Sequence, residues 1–133
     1  MKVRDSVEIA KPQELVYALV RDLERAPEWQ DSLEKVDVHA GTEVRRISGM
    51  RQEASFLVLE DDPPRRLAIG SEGGSAKARA TFDLEPDGDG TRVMFTLEVG
   101  LHGPMRLAGR LAKTAVQREV RSSLQKLKEL AET

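Results

Sequence analysis

Glu119 lies in the stretch "AVQREVRSS", where its neighbours three and four positions away are Ala115, Val116, Ser122 and Ser123. None is basic, so a helix here gives the carboxylate no salt-bridge partner of its own. On a helical wheel it falls about 20° from Ala112 and about 60° from Val116, inside an apolar arc. A carboxylate buried there must find a partner on another element, with Arg46, Arg51 and Arg92 as candidates, or be protonated, or meet a ligand. At the edge of the arc it reaches water instead. Ser123, one turn on, adds a hydroxyl that can share in orienting a bound polar group. Glu119 is also the one residue placed to act as an acid or base in a desolvated site.

Small side chains form a second pattern. Ala76, Ala78 and Ala80 alternate with Lys77, Arg79 and Thr81 and lead to Phe82 and Leu84, while Ala108, Ala112 and Ala115 lie on the same arc as Met105 and Val116. Small residues on two facing surfaces mean either close packing or space left for a ligand. Phe95 and Leu97, in the alternating run Val93 to Val99, line the same candidate wall. Trp29, the only tryptophan, either caps the core or flanks an entrance, and Tyr17 stands with it.

Other chemistry is poorly provided for. With no cysteine, thiol catalysis, disulfides and cysteine-held metals are excluded. His39 and His102 are far apart in sequence and read as surface residues, so neither a metal nor another cofactor is expected. The chain has no phosphate-binding loop, nucleophile elbow or HExxH, and "GSEGGS" precedes a strand, which makes it a turn.

The elements that must position these residues are legible from periodicity. "VRDSVEI" reads as a strand, and Pro12 to about Glu24 as an amphipathic helix, followed by a short turn restarting at Pro27. From Leu33 to Val99 the pattern is strands and turns, about seven strands in all, joined by hairpin-length connections and therefore antiparallel. Val36, Val38 and Ala40 share one face. "EASFLVLE" is apolar over four consecutive residues and is expected to be buried on both faces, which leaves the inward phase of the Arg46 and Phe56 strands open. "PDGDG" reverses the chain, its two glycines tolerating positive φ. A long helix then runs from Gly103-Pro104 to about Ala131 with one apolar face, which must lie on the sheet.

The 133 residues fit a single domain spanning 1–133, with 39% hydrophobic and 33% charged residues and no apolar run of membrane-spanning length. With no apolar leader after Met1-Lys2, a cytoplasmic location is the expectation. The final thirty residues are basic, seven Lys or Arg against three Glu, but these charges surround the helix without interleaved aromatics. Nucleic acid is therefore not expected as a partner. Contact with an anionic membrane through this face stays open, and oligomeric state is not readable.

The order of these elements, with "VRDLERAPEW", "PPRRL", "LEPDGDGTRVMFTLEV" and a terminal helix ending "LKELAE", resembles the START-like SRPBCC superfamily, within it the polyketide cyclase/dehydrase and lipid-transport group. The resemblance covers Val3 to Glu132. It implies an α+β helix-grip fold, a curved antiparallel sheet around a long C-terminal helix with two short helices after the first strand. It also implies a cavity that takes lipids, sterols, polyketides or quinones. The expectation is a carrier or sensor of a small apolar ligand, lined by Trp29, Ala78, Ala80, Phe82, Phe95, Leu97, Met105, Ala112, Ala115, Val116, Glu119 and Ser123. The alternatives are a polyketide cyclase or dehydratase with Glu119 as its acid/base, and a membrane-associated lipid or quinone carrier. No catalytic constellation of the group maps onto particular positions, so binding is favoured over catalysis.

Overall fold

The computed structural model describes residues 1–47, 49–73, 76–101 and 109–133. Strand β1 (Lys2–Ile9) is followed by helix α1 (Gln13–Arg21) and a 3-10 helix (Leu23–Glu28). Six strands come next, β2 (Leu33–Asp37), β3 (Thr42–Ile47), β4 (Met50–Asp62), β5 (Arg66–Gly73), β6 (Ala76–Asp87) and β7 (Gly90–Leu101), and then helix α2 (Gly109–Glu132).

The seven strands form one antiparallel sheet in the order β1-β7-β6-β5-β4-β3-β2. Strands β2 to β7 are a meander, and β1 closes against β7, with Val3 opposite Leu97 and Val7 opposite Val93. The sheet curls around α2, as the helix-grip expectation requires. Its inner face can be followed through the register. Leu97 pairs with Ala80, Ala80 with Ile69 and Ile69 with Val58. Phe95 pairs with Phe82, which pairs with Leu67. Residues directly opposite share a face, so these rows set the wall that α2 covers.

Helix α1 is shorter than the periodicity suggests. Pro12 is its N-cap in extended conformation, and the chain leaves the α-helix after Arg21 to wind as the 3-10 turn that contains Pro27. Val16, Leu19 and Val20 are buried against the sheet, and Gln13 Nε2 donates to the carbonyls of Pro64 and Leu84, fixing α1 over the end of β6. Strand β2 also stops early. Asp37 Oδ1 accepts the N–H groups of His39 and Ala40, each at 3.0 Å, so Val38 and Ala40 belong to a turn and are exposed, with Gly41 at φ 67° completing it.

Strand β4 departs most from expectation. It is not buried on both faces: Leu57 is 71% and Leu59 49% exposed on the outer face, while on the inner face, in register with Ser71 and Ile69, Phe56 is half-buried and Val58 still 37% exposed. Among the described residues every helix packs on the inner side, so the outer side of β4 has no covering layer. A continuous apolar run cannot report this, because it reads the same whether one face or two is covered.

In α2 the buried stripe is Val120, Ser123, Leu124, Leu127 and Ala131, with Val116 at its edge. Ala115 stands about 140° around the helix from Val120 and is exposed, which removes it from the lining. The expected helix start at Gly103-Pro104, with Met105 and Ala108, lies outside the described residues, as does His102.

Candidate functional site

The inner face divides into two halves. In the closed half, Leu67, Leu84 and Val93 are fully packed beneath Val120, Leu124 and Leu127 of α2 and Val16 and Val20 of α1. Its floor is aromatic. Phe82 and Phe95 lie 4.4 Å apart, centroid to centroid, and Trp29 meets Phe82 edge to face at 5.7 Å and 76°. Trp29 is 1% exposed and so caps the core, and its Nε1 has no hydrogen-bond partner among the described residues. The 3-10 turn that contains Pro27 ends at Glu28, so Trp29 follows it directly and joins the core cluster together with Leu33 at the start of β2.

The second half stays half-buried and gives way to small residues at its outer end. Ala80, Leu97, Ile69, Phe56 and Val116 form the rim of the core, and beyond them Ala78, Ala76 and Ser71 continue the same face. Alternation along β6 puts Ala76, Ala78 and Ala80 in line with Phe82, so the wall steps down from alanine to phenylalanine at the floor. Ala112, on the shoulder of the α2 stripe, is half-buried as well.

A polar cluster closes the β2–β3 end of this face. Glu43 and Arg45 alternate with Val44 and pair with Ala54 and Gln52 of β4, which places them on the inner side. Glu43 is 8% exposed and accepts from Arg45 through both oxygens at 3.3 Å. Arg45 donates onward to Ser32 Oγ at 3.0 Å and to Gln30 Oε1 at 3.1 Å. Glu119 reaches the same loop from α2, its Oε1 accepting the Ser32 backbone N–H at 3.0 Å. Its partner is thus a backbone amide, and none of Arg46, Arg51 and Arg92 holds it: Arg46 is on the outer side with Glu34 at 2.7 Å. Ser123 is buried one turn below on the same shoulder.

Glu43, Arg45, Gln30 and Ser32 escaped the sequence reading. The signal was present as "EVR", two charged residues two apart on one strand face, but the apolar Val44 between them suggests the opposite phase. Tyr17 belongs elsewhere. Its hydroxyl donates to Asp61, which Arg21 also holds at 2.9 Å, locking α1 to β4. Burial first, and then Asp61, push the tyrosine pKa far upward, while Asp61 is held below the usual carboxylate range by the Tyr17 and Arg21 hydrogen bonds.

Two open clefts among the described residues lie away from this face. One, of about 380 Å³, is lined by Glu60, Asp62, Arg65, Arg66, Asp83, Leu84 and Glu85, and the other, of about 310 Å³, opens between β1 and α2 beside Asp5 and Arg121. Most of their charges are paired, Arg66 with Glu60 and Asp83, Arg65 with Asp62 and Arg121 with Asp5, so they are polar crevices. Among the described residues no cluster of three metal-ligating side chains occurs, and no helix is long and apolar enough to cross a membrane.

Comparison with known proteins agrees with this architecture. The uncharacterized protein Rv1546 of Mycobacterium tuberculosis is 35% identical over 91 residues, covering 65% of this chain and 62% of that protein, so the match spans less than two thirds of the relative's length. TTHA0849 from Thermus thermophilus superposes with a TM-score of 0.85 at 29% identity, over 98% of this chain and 97% of the other. Two structures share the fold at lower identity. A START superfamily protein from Mycobacterium smegmatis has a TM-score of 0.79 at 19%, over 97% and 98% of the two chains. The Zhui aromatase/cyclase from Streptomyces sp. R1128 has 0.79 at 16%, over 99% and 93%. The profile described as "Polyketide cyclase / dehydrase and lipid transport" matches residues 1–132, and the chain belongs to that family, within the START-like SRPBCC superfamily.

Proposed function

We propose that the protein binds a small apolar molecule between the alanine wall of the sheet and α2, as a carrier or sensor. The observation that carries this is the division of the inner face. A packed aromatic floor continues, in unbroken register, into a wall of small, half-buried residues bounded by a hydrogen-bonded polar cluster. A mostly apolar surface with a few fixed polar groups at one end is what a small-molecule site requires. Apolar contact supplies the affinity, about 25 cal/mol per Å² removed from water, and the Glu43–Arg45–Glu119 end orients the ligand.

The cyclase reading draws on the family and on Glu119, the acid/base candidate. Glu119 is tied as an acceptor to a backbone amide of the adjoining loop, an arrangement that suits positioning, and this puts binding ahead of catalysis. Native mass spectrometry of gently purified protein, with extraction and identification of any adduct, tests the proposal. A defined apolar adduct supports it. A clean apo mass, with no uptake of added apolar probes, contradicts it.

A further inference from the structure

The polar end of the inner face has a charge balance that discriminates between ligand head groups. Resting on the binding role just proposed, we propose that the ligand's polar end is a neutral hydroxyl and that the site rejects carboxylates. The guanidinium of Arg45 faces the inner side, but its charge is matched by Glu43, which it holds through two hydrogen bonds from a nearly buried position. It also donates to Ser32 Oγ and Gln30 Oε1, which leaves one Nη1 N–H uncommitted among the described residues. Glu119, joined to Ser32 from the opposite side, adds a second carboxylate. Gln52, in register with Arg45 on β4, is neutral, and the nearby Asp31 and Lys126 pair with each other. The described side chains of this cluster therefore sum to one negative charge. An anionic head group entering it meets like charge at short range, with no free cation among these side chains, and loses its own hydration as well. A hydroxyl suits the same surroundings, since it donates to a carboxylate oxygen and accepts from an N–H at once.

The test compares octanol with octanoate at neutral pH by calorimetry, in the wild-type protein and in Glu119→Gln. Glutamine retains an oxygen that can accept the Ser32 N–H while removing one negative charge. The expected result is that octanol binds the wild type at least about fivefold tighter than octanoate. In Glu119→Gln the octanoate affinity rises several-fold and the ratio of octanol to octanoate affinity falls by at least about threefold, by the same Coulombic reasoning. Glu43→Gln, the second variant, shifts octanoate in the same direction and guards against loss of fold in the first.

Octanoate binding as tightly as octanol to the wild type overturns the inference and leaves the apolar site standing. A preference for octanol that neither variant alters also overturns it, since desolvation of the acid alone then explains the difference. Binding of neither probe overturns the inference and the proposed function together.

Discussion

Glu119 of α2 and Ser32, three residues beyond Trp29, are joined by a 3.0 Å hydrogen bond from the Ser32 N–H to Oε1. Asp31, next to Ser32, receives Ser122 Oγ at 2.8 Å and the Lys126 ammonium. The middle of α2 is thereby tied to the loop that carries the tryptophan floor and the Arg45 partners. This junction fixes the distance between the helix and the β2–β3 end of the sheet, and so the shape of the candidate site.

Removing the acceptor should loosen that junction. Glu119→Ala is expected to lower stability by about 1–2 kcal/mol, the range for a hydrogen bond to a charged, partly exposed group, whereas Glu119→Gln should cost less than about 0.5 kcal/mol. Urea denaturation of the two variants measures the difference. Equal losses would show that the charge, and not the Ser32 bond, holds the helix.

Tyr17 is the only tyrosine, so its ionisation can be followed without ambiguity. Its pKa is raised in the folded state by burial and by Asp61, so the associated stability is complete below the ordinary phenol value near ~10 and is lost as pH rises beyond it. Ultraviolet difference titration should therefore show tyrosinate appearing only with unfolding. Asp61 has the opposite sign. Its pKa is depressed, so its contribution is present above the unfolded carboxylate value and disappears as pH falls. Tyr17→Phe, which removes one of its donors, should make stability less dependent on pH on the acid side.

The two glycines of the β6–β7 reversal are required for different reasons. Gly88 has φ 59°, a left-handed conformation, while a Cβ on Gly90 would stand 2.5 Å from the Ile9 carbonyl oxygen. Gly88→Ala should cost about 1–2 kcal/mol. Gly88→Asn should recover part of that, since asparagine tolerates positive φ. Gly90→Ala and Gly90→Asn should both cost about 1–3 kcal/mol, because backbone must move, and thermal melts of the four variants separate the two mechanisms.

Most of the fold was legible because its signals are periodic. The strict alternation from Ala76 to Leu84 and from Val93 to Val99 specified two neighbouring strands and their inner faces, and the stripe on α2 specified what covers them. Legibility failed where a residue's environment depends on a distant layer. The run Phe56 to Leu59 could not reveal that the outer side of β4 is uncovered, with Leu57 in solvent. The wheel that grouped Ala115 and Ala112 with Val116, Val120 and Leu127 extended the arc too far to one side, since the buried stripe runs through Val120 and Leu127 to Leu124 and Ala131. At the candidate site Glu119 was visible as a misfit on an apolar arc, but its partner is a backbone amide, which no sequence displays. Glu43 and Arg45 were hidden because polar residues on an inner face invert the usual pattern.

The central claim is that the alanine wall is space for a ligand, and Ala78→Phe tests it most directly. Ala78 lies on the inner face between Val99 and Ser71, both half-buried. If the wall borders a cavity, the phenyl ring fills it: melting temperature is unchanged or higher, and calorimetric binding of octanol, present in the wild type, disappears. If the wall is already packed, the wild type binds no octanol and Ala78→Phe loses about 1–3 kcal/mol through overpacking, which would contradict the account.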